Sequence, residues 1–220
     1  MTTKINFNLL GDFEAAVWKA AKNVFPSVFI HGCLFHWNQA IIRKIQEIGL
    51  QKSFMEKRKV FNFCKELMAL PFLPKDWIRR IFLQYKAKDV DEKLKNLMNY
   101  MENQWMNNPL FSIESWSAFR RPIRTNNEVE GYHHKLNNNA NGMALNMYEL
   151  IAKLHEEAQD AQQTCNLVQD EVLTRLQRKK YVKVHGKIQD TWDDFEIRGS
   201  ISAQTLLELC SKLNYGPTCK

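Results

Sequence analysis

Apolar and polar positions change period several times along the chain. Residues 5–10 (Ile-Asn-Phe-Asn-Leu-Leu) alternate before running apolar, which predicts a short strand ending at Gly11-Asp12. Helical spacing then takes over: Phe13, Ala16, Val17, Ala20, Ala21 and Val24 predict one apolar face over three turns, which Pro26 stops. Residues 27–33 (Ser-Val-Phe-Ile-His-Gly-Cys) are β-branched and aromatic and predict a second strand parallel to the first. A helix over 34–48 comes next, with Leu34, Trp37, Ile41, Ile45 and Ile48 inward and Gly49 closing it. From 54 to 116 the pattern is helical throughout, broken at Pro71 and Pro74. A long helix is predicted over 146–180, its seam running Met147, Ile151, Leu154, Ala158, Ala161, Cys165, Val168 and Val172. Small residues in mid-seam make it a weak coiled coil, so packing on the chain's own helices is expected, with a homo-oligomer as the alternative. The tail, 190–220, opens acidic and is predicted to form one helix over 203–213.

The stretch Arg124-Thr125-Asn126-Asn127-Glu128-Val129-Glu130-Gly131-Tyr132-His133 opens another helix. Thr125 and Glu128 have the spacing of a capping box, and Val129, Tyr132, His133 and Leu136 form the stripe expected to be buried. Glu130 beside that stripe is either a solvated first-turn acid or a metal ligand. Asp12 is either the cap of the first helix or a carboxylate at the carboxyl end of a strand, where α/β sheets place their chemistry. Cys33 and His36 form a Cys-x-x-His pair, either a buried thiol and a satisfied imidazole or a functional pair. Treating Cys33, His36 and His133 or His134 as structural zinc ligands would need second paired ligands that the sequence lacks. Arg175, Arg178, Lys179, Lys180, Lys183 and Lys187 surround Tyr181, as phosphate contacts or as a solvated face.

Composition narrows these options. Thirty-one Lys and Arg against 24 Asp and Glu give a net charge of +7, which suits a polyanionic partner. Five irregularly spaced cysteines imply no disulfide framework and a reducing, intracellular compartment. No apolar run has the length of a membrane span, so no membrane partner is expected, and there is no glycine-rich phosphate loop.

Several of these stretches together resemble the transposases of Mutator-like elements (MULE). Gly11-Asp12-Phe13-Glu14, Val24-Phe25-Pro26, Ile30-His31-Gly32-Cys33-Leu34-Phe35-His36 and Gln39-Ala40 are similar to the surroundings of that family's second catalytic aspartate. Ala69-Leu70-Pro71-Phe72-Leu73-Pro74 is similar to its helical insertion. Arg124-Thr125-Asn126-Asn127, Val129-Glu130-Gly131 and Leu136-Asn137 resemble its third catalytic position. Leu145-Asn146-Met147-Tyr148-Glu149-Leu150-Ile151 resembles the segment C-terminal to that position in the family.

The resemblance implies a mostly α chain with a small parallel β remnant, an incomplete ribonuclease H-like α/β core interrupted by a helical insertion. Its divisions would be 1–53 (partial core), 54–116 (insertion), 117–142 (return to the core with the glutamate helix) and 143–220 (long helix and tail). It implies Asp12 and Glu130 as catalytic metal ligands for Mg²⁺ or Mn²⁺, Cys33 and His36 as site-shaping residues, DNA as partner and the nucleus as location. The DNA contacts expected are Arg124, Arg175, Arg178, Lys179, Lys180 and Lys183. The family's first aspartate has no counterpart in the eleven residues before Asp12, so a truncated transposase, inactive alone, is expected. A non-catalytic nucleic-acid-binding or protein-interaction module is the alternative.

Overall fold

The computed structural model describes residues 8–56, 58–140, 145–169 and 179–214, with the backbone alone for a few, including Glu128, Glu130, Lys179 and Lys180. It is mostly helical, with a sheet of two parallel strands. Strand β1 (Asn8–Gly11) pairs with β2 (Phe29–Gly32) in the register Asn8 to Phe29 through Gly11 to Gly32, and α1 (Ala15–Val24) connects them. Both predicted strands are therefore present; residues 5–7 of the first lie outside the described residues, and the second is slightly shorter than its apolar run. The chain divides into two compact units, one of residues 1–126 and 185–220, the other of residues 127–184.

In the first unit, α2 (Leu34–Glu47) buries Leu34, Trp37, Ile41 and Ile45, as its spacing predicts. Gly49 ends it at φ 65°, and Leu50 N–H reaches back to Ile45 O at 2.9 Å, so the left-handed residue that closes the helix is one without a Cβ. The stretch predicted to be helical throughout comprises α3 (Gln51–Glu56), α4 (Arg58–Met68), a 3₁₀ turn at Leu70–Phe72, α5 (Lys75–Lys86), α6 (Glu92–Met101), a π-helical turn at Glu102–Met106 and α7 (Ile113–Trp116).

The proline-bounded break between α4 and α5 lies inside the core: Leu67 through Leu73 are all buried. Buried carbonyls must be paired, and here partners arrive from distant parts of the chain. Trp37 Nε1 donates to Met68 O (3.1 Å), Ala118 N to Pro71 O (2.6 Å), Trp192 Nε1 to Phe72 O (2.9 Å) and Ser117 Oγ to Leu73 O (3.0 Å). The Trp192 bond fixes the end of α10 (Lys179–Glu196) to this turn. Residues 190–196, read as the start of an acidic tail, are thus helical; Arg120 pairs with Asp193 (2.5 Å) and Glu196 (2.7 Å) on the outer face. The final helix, α11 (Ala203–Leu213), has the predicted bounds. Beyond it Asn214 forms a reciprocal buried amide pair with Asn38 of α2, at 3.0 and 3.1 Å.

Three predicted apolar faces are not buried. On α1 the buried residue is Trp18, whereas Val17 and Val24 are 47% and 67% exposed. The bulk of Trp18 decides which side of the helix turns inward: its ring packs on Phe111 and its indole donates to Asp12 O at 2.6 Å. In the second unit, α8 (Asn127–Asn139) exposes Val129, Tyr132 and His133, and α9 (Met147–Gln169) exposes Met147, Ile151, Leu154 and Cys165. These two helices meet instead through a buried carboxylate, Glu157, which accepts from Lys135 Nζ (2.7 Å) and Asn139 Nδ2 (2.9 Å). A polar clasp thus replaces the expected apolar seam. The span predicted to join α9 to residue 180 includes residues 170–178, outside those described, as does the Glu128 side chain of the expected capping box.

The Asn38–Asn214 pair gives a test. Asn38→Ala leaves the Asn214 amide short of a partner in the core, which costs about 1–3 kcal/mol. Urea unfolding should show a lowered midpoint with an unchanged slope.

Candidate functional site

Asp12 comes directly after the last residue of β1, so its position is set by the sheet. The ladder continues one step past the strands, with Cys33 N donating to Gly11 O at 2.9 Å, and the next amide, Leu34 N, donates to Arg124 O at 2.8 Å. Three stretches far apart in the sequence therefore meet at one end of the sheet: Gly11–Asp12, Cys33–His36 and Arg124–Asn126. The backbone of Asp12 is held by the Trp18 indole. The ring of Phe13 sits where a Cβ on Gly32 would be, 2.2 Å from that position, so Gly32 is required for the ring to cross the second strand. From there Phe13 packs edge-on against Trp105 (4.7 Å) and Phe111 (5.4 Å), and Trp105 against Trp37 of α2 (4.7 Å). The same aromatic cluster thus anchors both Asp12 and the helix that carries His36.

The side chains converge on the Asp12 carboxylate. Asn126 Nδ2 donates to Asp12 Oδ1 at 2.9 Å, while Asn126 Oδ1 accepts from Cys33 Sγ at 3.1 Å, so one amide bridges the two motifs. His36 Nδ1 lies 2.8 Å from the same Asp12 oxygen, but in a direction that makes no hydrogen bond. Cys33 is fully buried, His36 is partly buried, and the Asp12 side chain is 49% exposed. The sulfur, imidazole nitrogen and carboxylate oxygen all lie within 4.8 Å of one another. Among the described residues this is the only group of three Cys, His, Asp or Glu side chains so arranged.

Mg²⁺ takes an octahedron of oxygens, whereas the donors described around Asp12 are one carboxylate, one imidazole and one thiol. The family resemblance implies Asp12 and Glu130, not Cys33 and His36, as the ligands of magnesium, and of these two the Asp12 side chain is the one described. Asp12 belongs to the first compact unit and Glu130, on α8, to the second; the Glu130 side chain is outside those described.

The basic candidates have different surroundings. Arg124 is half-buried: its guanidinium lies over Trp192 (5.6 Å) and Phe72 (6.0 Å) and bonds His185 Nδ1 (3.0 Å) and Arg121 O (3.4 Å). Burial holds it below the usual arginine range. These partners are all internal, which fits a structural role. Lys183 on α10 is exposed, Lys179 and Lys180 lie on the same helix, and Arg175 and Arg178 are outside the described residues. Asn126 and Trp18 hold Asp12 by hydrogen bonds that the sequence alone does not single out; Asn126 is visible there only as part of the Arg-Thr-Asn-Asn stretch, and nothing distinguishes Trp18.

His31 of β2 gives the stability of the fold a pH dependence. Burial, followed by the charge of Arg121, lowers its pKa from 6.5 to about 4, against a weaker opposing effect of Glu114. Its folded pKa lies below its unfolded value, so the stability it contributes is full above pH 6.5 and is lost as the pH falls towards 4. Urea midpoints should drop over that interval, and His31→Gln should flatten the drop. His185, lowered by burial and by Arg124, adds to it in the same direction.

Comparison with protein-family models, with curated proteins and with solved structures finds no match. The functional reading therefore depends on the residues and geometry described above.

Proposed function

We propose that the chain is part of a MULE-type DDE transposase catalytic domain with an incomplete ribonuclease H-like core, able to associate with DNA but not to transpose it alone. What supports the reading is the convergence at the Asp12 end of the sheet. Asn126 lies 114 residues from Asp12 and 93 from Cys33, yet one side chain bonds both. The three stretches that meet are the ones whose sequences resemble the family's second and third catalytic regions.

In this reading Asp12 is the second aspartate, Glu130 the glutamate, Cys33 and His36 shape the site, and Asn126 keeps the Asp12 carboxylate in place. A metal pair for strand transfer needs several carboxylates around each ion. In this reading the chain by itself offers no counterpart of the family's first aspartate, so a metal pair would be short of a carboxylate, which is the reason for inactivity. DNA association would be electrostatic, led by the exposed Lys183 and Lys187 of α10 and their basic neighbours, within a chain of net charge +7. A non-catalytic binding module derived from such an enzyme would share this electrostatic behaviour.

Two assays on the purified chain test the proposal. Strand-transfer and nicking assays with Mg²⁺ or Mn²⁺ should show no turnover; turnover lost in Asp12→Ala or Glu130→Ala would overturn the inactivity. Binding to duplex DNA should weaken steeply with salt, and replacing Arg178, Lys179 and Lys180 by alanine should reduce the salt slope by about 2–3. Binding indifferent to salt would contradict the DNA-associating role.

A further inference from the structure

We infer that Asp12, Cys33 and His36 form a site for a borderline d-block cation of the Zn²⁺ class. The donor set of one thiol, one imidazole and one carboxylate points to such an ion. Thiolate, imidazole and carboxylate are the three ligand types zinc takes most readily, and an oxygen-seeking ion would not select two of them.

The distances suit the ion. Zinc–sulfur bonds of about 2.3 Å and zinc–nitrogen or zinc–oxygen bonds of about 2.0–2.1 Å place tetrahedral ligand atoms roughly 3.3–3.6 Å apart. In the protein the three ligand atoms lie within 4.8 Å of one another, with His36 Nδ1 and Asp12 Oδ1 at 2.8 Å. That nitrogen is buried and makes no hydrogen bond, so it is an orphaned polar atom beside the carboxylate. An ion between them would satisfy it.

The surroundings are also those of a positioned ligand set. Asn126 bonds both Asp12, through Nδ2, and Cys33, through Oδ1, and the Trp18 indole holds the Asp12 backbone. Cys33 is fixed by the sheet ladder through its own amide. Because half of the Asp12 side chain faces solvent, the fourth position would be taken by water. On binding, the Cys33 Sγ–H bond breaks, the sulfur–metal bond forms from the sulfur lone pair, and the proton leaves to solvent. No electron transfer is involved, and Asn126 Oδ1 loses the thiol donor it now accepts from.

The test uses the full chain, stripped of metal with a chelator and titrated with Zn²⁺ by calorimetry and with Co²⁺ by absorption. One equivalent of Zn²⁺ should bind, releasing about one proton as judged from two buffers of different ionisation heat. Co²⁺ should give a thiolate-to-metal charge-transfer band. Cys33→Ser should abolish the band, and His36→Gln and Asp12→Asn should each weaken Zn²⁺ binding by about tenfold or more while leaving the circular dichroism unchanged. Cys165→Ser, on exposed α9, should change neither readout. No Zn²⁺ uptake, no charge-transfer band, or full affinity retained in folded His36→Gln would overturn the assignment. The DNA assays read neither metal stoichiometry nor the cobalt spectrum, so either proposal can fail without the other.

Discussion

The first unit depends on a turn that would ordinarily be at the surface. Prolines at 71 and 74 prevent α4 from continuing into α5, and a chain break of this kind usually ends in water. Here it is enclosed, and its carbonyls must find donors inside the protein. They do so through the indoles of Trp37 and Trp192, the backbone of Ala118 and the hydroxyl of Ser117. Each of these bonds ties a separate stretch of sequence to one point. Losing the donor to Pro71, Phe72 or Leu73 would leave a buried carbonyl unpaired, at about 1–3 kcal/mol each, whereas Met68 O also accepts from Asn214 Nδ2.

The geometry of the site is a consequence of that arrangement. Trp37, held at Met68 O, sits one turn into α2, so the start of that helix, with Cys33 and His36, is fixed in place. The same indole stacks on Trp116 at 4.5 Å and packs against Trp105, which meets Phe13. Phe13 in turn occupies the space left open by Gly32, and Asp12 is its neighbour in the chain. A carboxylate half in solvent is thereby positioned by a rigid aromatic cluster rather than by a loop. Rigid support of this kind is what a ligand or catalytic group needs to keep its geometry.

Much of this is legible in the residues. Both strands, α2 and α11 can be read from period and punctuation, because each has a single dominant apolar face and a clear stop. Asp12, Cys33 and His36 stand out as chemistry at strand and helix ends, and the structure places them together. Local pattern fails where a face has competitors. On α1 five small or β-branched residues suggest one side, but a single Trp18 with a hydrogen bond to make outweighs them. On α8 and α9 a regular apolar seam is present, yet a buried Glu157 with two donors determines the contact. The burial of the proline turn is likewise invisible locally, since its donors come from residues scattered between 37 and 192.

The convergence of Asp12 with Asn126 carries the whole functional account, and a double-mutant cycle measures it most directly. Asp12→Ala, Asn126→Ala and the double variant are compared by urea unfolding of the metal-free chain. Side chains in contact should show a coupling of about 0.5 kcal/mol or more. Additivity within about 0.3 kcal/mol would mean that the two stretches do not meet, and would contradict the account.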